Sequence, residues 1–418
     1  MLSKFISVSI MVVLSACAFI VPAASVNYPS ALYYSAIFLV FSGLLFLLNN
    51  SPQQPLSKLE KFMLGSWLFY PAITALDLWF RVGWIWTEFQ EPSRFILVLP
   101  IYFMVRRVGF SQNALKWGVW FGAVAAGVWA FYQKQYLGFH RVSGGTSGLI
   151  AAFGDISLLL GVMSVAMFQP NWKMNPLFGP LAAVALLLGV YASLASGTKG
   201  GWISMPLLCW VMVDLLDKPT YKKRFLVLFT FAFSALLVWY FVPFVQQRLS
   251  VIVPAITEYF VHGKVADGSA GIRLALWHSA LLIFIDNPLF GTGPGSYYIE
   301  KIPLVEAGLI PPEAGPHLGP HNQLFNSLFE TGIIGAIMVY SIYFSFLLLC
   351  RQHLQQNKAL AITGILMVVG YMDFGIAEVI WDINNAGVFF AVMMAMIAGK
   401  LSHDKNAANT AIGFNVSV

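Results

Sequence analysis

The sequence predicts an all-α polytopic membrane protein of about 12 transmembrane helices, with one large periplasmic loop that contains short helices. Three observations lead there. The chain of 418 residues is 58% hydrophobic and only 10% charged, whereas a soluble domain carries about 25% charged residues. Apolar runs close to the roughly 20 residues that cross a bilayer as a helix recur from end to end. One long stretch, 246–320, interrupts them, and its later part is dense in glycine and proline.

The apolar segments lie near 6–24, 30–48, 61–80, 95–110, 115–132, 147–168, 176–195, 199–216, 224–245, 323–350, 358–376 and 385–400. They divide the chain into a helical part within 1–245, the loop 246–320, and a second helical part with a tail within 321–418. In the first segment, Leu14, Ser15, Ala16 and Cys17 resemble a bacterial lipoprotein cleavage box. The apolar run continues past the cysteine to Ala24, so an uncleaved first membrane helix fits better. Cys17, Cys209 and Cys350 lie far apart in apolar runs, without metal-ligand spacing, and read as buried free thiols.

Basic residues set the orientation, because Lys and Arg favour the cytoplasmic side. With the N-terminus inside, the inner loops hold 15 of the 24 Lys and Arg residues, among them Lys58, Lys61, Arg106, Arg107, Lys116, Lys222, Lys223, Arg224, Arg351, Lys358 and Lys400. Fewer fall outside, among them Arg141, Lys199 and Arg273. Both termini are then cytoplasmic, and the long loop faces the periplasm or cell exterior. The net charge of +6, spread over so few charged side chains, points to the membrane or an anionic ligand as partner rather than to nucleic acid.

The loop carries local signals. Asp267 to Gly271 reads as a turn leading into a helix, with Ser269 as its N-cap. The helix IRLALWHSALLIFI bears Arg273 and His278 and is expected to lie on, or dip into, the bilayer surface. GTGPGS, from Gly291, has no strand before it and reads as a tight turn with close backbone approach rather than a dinucleotide fingerprint.

At the end of the loop stands GPHNQLFNSLFETGIIG. Pro320 suits a first helical position, which puts His321 in the first turn. The helix dipole disfavours imidazolium there, so a neutral, proton-accepting His321 is expected, beside a site that attracts phosphate oxygens. Gly319 and Pro320 separate His317 from His321 and argue against a metal-binding pair on one helix. Glu330 lies nine residues beyond His321, about half a turn out of phase. It shares a face with Asn322 and Asn326 and is expected to cap or to bond a neighbouring helix. Asp155 and Asp373 are intramembrane acids, functional candidates that could equally bond helix to helix. Trp84, Trp86, Trp117, Trp120 and Trp381 suit interfacial belts.

His321-Asn322 followed by Glu330, Gly332, Ile333 and Gly335 resembles the core motif of the O-antigen ligase and O-antigen polymerase superfamily, bacterial membrane glycosyltransferases with a large late periplasmic loop. The AGIRLALWHSALLIFIDNPLFGTGPG stretch and a basic residue after the seventh apolar segment extend the resemblance. It implies an inner-membrane enzyme that joins glycan from undecaprenyl diphosphate to the lipid A-core, with no nucleotide or metal cofactor. It also implies that His321 is the base on the acceptor hydroxyl and that Arg273 grips the diphosphate, with Lys199 beside it. The family usually has arginine at the position of Lys199, and lysine lacks the bidentate fork suited to phosphate. Arg141 is a further candidate for the donor, and Glu330, Asn322 and His317 are expected to support the site. Chain length and the one dominant loop look most like the ligase. A polymerase extending the lipid-linked glycan and a transporter of lipid-linked sugars are the alternatives.

Overall fold

The computed structural model describes residues 2–48, 54–145, 150–169, 172, 174–203, 205–213, 220–265 and 269–416. All its regular elements are helices, and no strand occurs among the described residues. The chain is an all-α polytopic membrane protein. Eight helices among the described residues are long and apolar enough to cross a membrane. They are α2 (Pro29–Leu48), α6 (Gln112–Gln135), α7 (Ile150–Phe168), α8 (Phe178–Ser196), α11 (Tyr221–Phe241), α16 (Gln323–Gln352), α17 (Lys358–Ala377) and α18 (Asn384–Val416).

Helices also form at the other predicted apolar segments, but in shapes that apolar length alone does not reveal. These are α1 (Leu2–Ala24), α3 (Lys58–Asp77), the pair α4 (Trp86–Leu97) and α5 (Leu99–Val108), and the short α9 (Gly200–Ile203) and α10 (Met205–Met212). The break between α4 and α5 has a local cause. Pro100, in the first turn of α5, has no N–H to give to a carbonyl one turn back, so the ladder cannot run through.

Polar side chains fix the helix ends. Ser57 and Glu60 form a reciprocal capping box at the start of α3, with Ser57 N donating to Glu60 Oε2 at 2.7 Å. The same carboxylate accepts from Tyr102 Oη at 2.8 Å and Arg106 Nε at 2.7 Å, which ties α3 to α5 through a buried ion pair. The main core runs between α7, α17 and the Asn384–Ala407 part of α18, whose membrane-spanning stretches are largely enclosed. By contrast α11 buries none of its side chains.

The loop is itself folded, from α12 (Pro243–Ser250) and α13 (Ile252–His262) to α14 (Ser269–Asp286) and α15 (Tyr297–Glu306). The predicted turn at Asp267 and Gly268 falls outside the described residues, and the predicted helix IRLALWHSALLIFI forms within α14, which ends one residue beyond it at Asp286. A second, smaller core joins Ala275, Leu276, Ala280 and Ile283 of α14 to Tyr297, Ile310, Ala314 and Phe329 of α16. Ser279 and Tyr297 hydroxyls bond at 2.7 Å inside it. The loop is therefore seated on the first turns of α16 by buried apolar contact.

A break in α16 completes the seat. Gly332 has φ 65, so the helix opens there. Backbone groups left open at such a break must find partners inside a membrane protein. The segment from Pro288 to Gly293 supplies them. Thr292 N donates to Phe329 O at 2.7 Å, Gly293 N to Glu330 O at 2.8 Å, and Ile333 N to Pro288 O at 2.9 Å. A Cβ on Gly332 would collide with the Leu289 carbonyl oxygen, and one on Gly291 with the Phe329 carbonyl oxygen. Arg81 clamps the same segment, donating to Gly291 O at 2.9 Å and Phe290 O at 2.7 Å. GTGPGS is thus a tight turn in which Gly291 admits the backbone of α16, while Gly293 and Gly295 face the side chains of Val82 and Glu88.

Candidate functional site

The start of α16 is built by Asn322. Its Oδ1 accepts from Leu324 N at 2.9 Å and Phe325 N at 3.1 Å, satisfying two N–H groups that a helix start leaves open. Its Nδ2 donates to Ile376 O at 3.0 Å, at the end of α17. The helix therefore begins at Gln323, which corrects the expectation that Pro320 opens it and that His321 occupies its first turn. His321 precedes the cap with φ 48, a left-handed conformation no helical residue adopts. The dipole reasoning for a neutral His321 loses its premise, because the partner of His321 is a side chain.

That partner is Glu378. It caps the C-terminus of α17 in an extended conformation, its N–H bonded to Phe374 O at 3.0 Å. The turn out of the helix carries its carboxylate across to the α16 cap. Glu378 Oε2 lies 2.7 Å from His321 Nδ1, and Oε1 lies 2.9 Å from an Arg273 guanidinium nitrogen on α14. One carboxylate thus joins residues 273, 321 and 378 from three elements. Side-chain exposure is 41% for His321, 27% for Arg273 and 20% for Glu378. The histidine is the most open of the three.

His317 stands next to the histidine, its ring centroid 5.8 Å from that of His321 and nearly perpendicular. The Lys301 amine holds the approach to it, donating to Ala314 O at 2.9 Å and also to His317 O. Burial pushes Lys301 down to about 8. Burial, and then the charges of His321 and Lys301, push His317 below the ordinary histidine value. Among the described residues no group of three His, Cys, Asp or Glu side chains is placed to hold a metal ion.

Lys199 lies at the turn between α8 and α9. The next residue, Gly200, packs against Ala377, whose neighbour is Glu378, and Gly201 N donates to Asp155 Oδ1 at 3.0 Å. The turn after Lys199 is therefore held against the end of α17, and Asp155 is one of the groups that hold it. Arg141 Nε donates to Ser196 O at 2.8 Å, so it also braces the end of α8 that leads into this turn. Glu330 is set apart. It accepts from Asn326 Nδ2 at 2.9 Å, one turn back on its own helix, and sits 3.5 Å from Gly295 N of the inserted turn. The expected bond to a neighbouring helix is replaced by this contact with the loop. Trp381, expected at an interface, is buried against Phe95 and Tyr343 with ring centroids 4.8 Å away. Trp84 and Trp86 are exposed.

Asp373 is the acid of this segment that the sequence marks as intramembrane, but the acid the structure brings to His321 and Arg273 is Glu378, five residues later. The signal available was an acid at the mouth of an apolar segment, matching His321 at the mouth of the preceding one. Nothing in the spacing showed that the two mouths adjoin.

Residues 183–340 match a family model described as O-antigen ligase. This match supports assigning the region to the O-antigen ligase and polymerase superfamily. The matched region spans Lys199, Arg273, His321, Asn322 and Glu330, and ends before Glu378. The chain is also 23% identical over 380 residues to an uncharacterized protein of Haemophilus influenzae, covering 88% of this chain and 94% of that one. The match supports a ligase or polymerase function, and so a glycosyl-transferring enzyme, in this multi-pass membrane protein.

Proposed function

We propose that the chain is an O-antigen ligase of the bacterial inner membrane. It would take polysaccharide from undecaprenyl diphosphate and join it to lipid A-core oligosaccharide at the periplasmic face, with both termini cytoplasmic. The observation that carries this reading is the meeting of His321, Glu378 and Arg273 beside the Lys199 turn. A carboxylate only accepts hydrogen bonds, so Glu378 fixes the His321 proton on Nδ1 and leaves Nε2 as a base. Glu378 uses one donor of the Arg273 fork, and the guanidinium has others for a phosphate oxygen.

In the proposed step the acceptor hydroxyl gives its proton to His321 Nε2 as its oxygen bonds to the anomeric carbon. The bond from that carbon to the diphosphate breaks, and its electron pair leaves on the diphosphate oxygen. Arg273 and Lys199 offset the charge that develops there. Glu378 stabilises the imidazolium formed on the other side. A single displacement inverts the anomeric centre. As the family resemblance implies, no metal or nucleotide takes part.

Reconstitution with carrier-linked glycan and lipid A-core tests the reading, with and without chelator. Wild type is expected to yield glycan-bearing lipid A-core in both conditions, and His321→Ala and Arg273→Ala are expected to yield none at wild-type abundance. Longer glycan still on its carrier would identify a polymerase instead. Full transfer by both variants would remove the mechanism.

A further inference from the structure

Beside the site, α13, α14 and the chain between α15 and α16 enclose a groove of about 800 Å³. Its walls include Tyr259, Lys264, Trp277, His278, Glu313 and Phe325. This is an amphipathic lining. Trp277 and Phe325 stack on each other with centroids 5.8 Å apart and planes 25° apart, giving a paired aromatic patch in the lining. Tyr259 Oη and His278 Nδ1 bond at 3.0 Å on the other side. Broad apolar faces with a few placed polar groups, at a volume within the roughly 300–1,000 Å³ of small-ligand sites, suit a hydroxyl-rich ring with an apolar face.

The groove is bordered by the elements that carry the site. Trp277 lies one turn beyond Arg273 on α14, and Phe325 stands in the first turn of α16, four residues after His321 in the chain. In an in-line displacement the diphosphate leaves towards Arg273 and the acceptor arrives beside His321. The rest of the donor glycan must leave the reacting sugar to the side of that line, and the groove, walled by Trp277 of α14 and Phe325 of α16, is a cavity bordering both elements. We infer that this groove is a subsite for donor sugar units beyond the one attached to the diphosphate, with Trp277 as the stacking wall. The inference rests on the transfer reading above and adds a determinant of donor length to it.

Leu281 lines the groove and is 40% exposed, so Leu281→Trp fills it from the wall. The donors are undecaprenyl diphosphate carrying one sugar and the same carrier bearing a chain of several sugars. KM for the long donor should rise tenfold or more, with kcat and KM for the single-sugar donor unchanged within twofold. An equal effect on both donors, no effect on either, or a raised KM for the acceptor would each overturn the subsite. A second measurement needs no transfer. In His278→Cys, glycan released from the carrier should slow labelling by a membrane-impermeant maleimide at least threefold, and an unchanged rate would count against the groove. Protection without transfer in wild type would mean that the transfer reading, not the groove, has failed.

Discussion

Replacing Glu378 by glutamine changes one oxygen for one NH2 group and removes the charge that joins His321 to Arg273. The amide oxygen can accept from only one of the two, while the NH2 end can accept from neither. Glu378→Gln therefore loses at least one hydrogen bond between charged or charging groups, each worth about 1.5–3 kcal/mol. At about 1.4 kcal/mol per factor of ten this is roughly 10- to 150-fold in rate. Side-chain exposures of 20–41% across the three residues mean that solvent screens part of it. A loss of about 10- to 50-fold in kcat at saturating donor is expected. The assay is initial-rate transfer of glycan to lipid A-core by reconstituted protein, normalised to folded enzyme. Transfer by Glu378→Gln within twofold of wild type would refute the role given to this carboxylate.

Gly332→Ala should lower thermal stability and release the Pro288–Gly293 segment from α16, because a Cβ there meets the Leu289 carbonyl and φ is 65. Faster amide exchange at Thr292 and Gly293 would check it. Asn322→Ala should cost about 1 kcal/mol as a lost N-cap, and more in activity than in stability, since the same side chain ties the His321 approach to Ile376. Comparing its melting temperature with its kcat separates the two effects. Lys301 gives a pH signature. Its amine is held down to about 8 by burial, against about 10.4 in an unfolded chain. Between these values the unfolded chain binds more protons, so stability rises with pH across that window and the protonation cost is fully present below it. Wild type should therefore gain melting temperature relative to Lys301→Met between pH 8 and about 10.4, and parallel curves would contradict this.

Much was legible in the sequence because it rests on local chemistry. Apolar length showed a polytopic helical chain, and Asp286-Asn287-Pro288 marked the end of α14. His321, Arg273 and Lys199 stood out as charged or titratable groups near the ends of apolar segments. The helix start was missed by three residues, because proline at position 320 and asparagine at position 322 are both good opening signals. Only the conformation at His321 decides between them.

The sequence by itself determined that this is a membrane-embedded α-helical chain with a structured loop and a histidine at the mouth of a late helix. Hydrophobic length, helix capping and turn chemistry act over a few residues and are written in consecutive letters. The tertiary structure alone decided that Glu378, 57 positions from His321 and 105 from Arg273, holds both. That contact depends on α14, α16 and α17 packing with their ends together, through Asn322 bonding Ile376 and the glycine turn filling the break at Gly332. Those forces act between elements far apart in the chain, and no local pattern records where they bring two helix ends to meet.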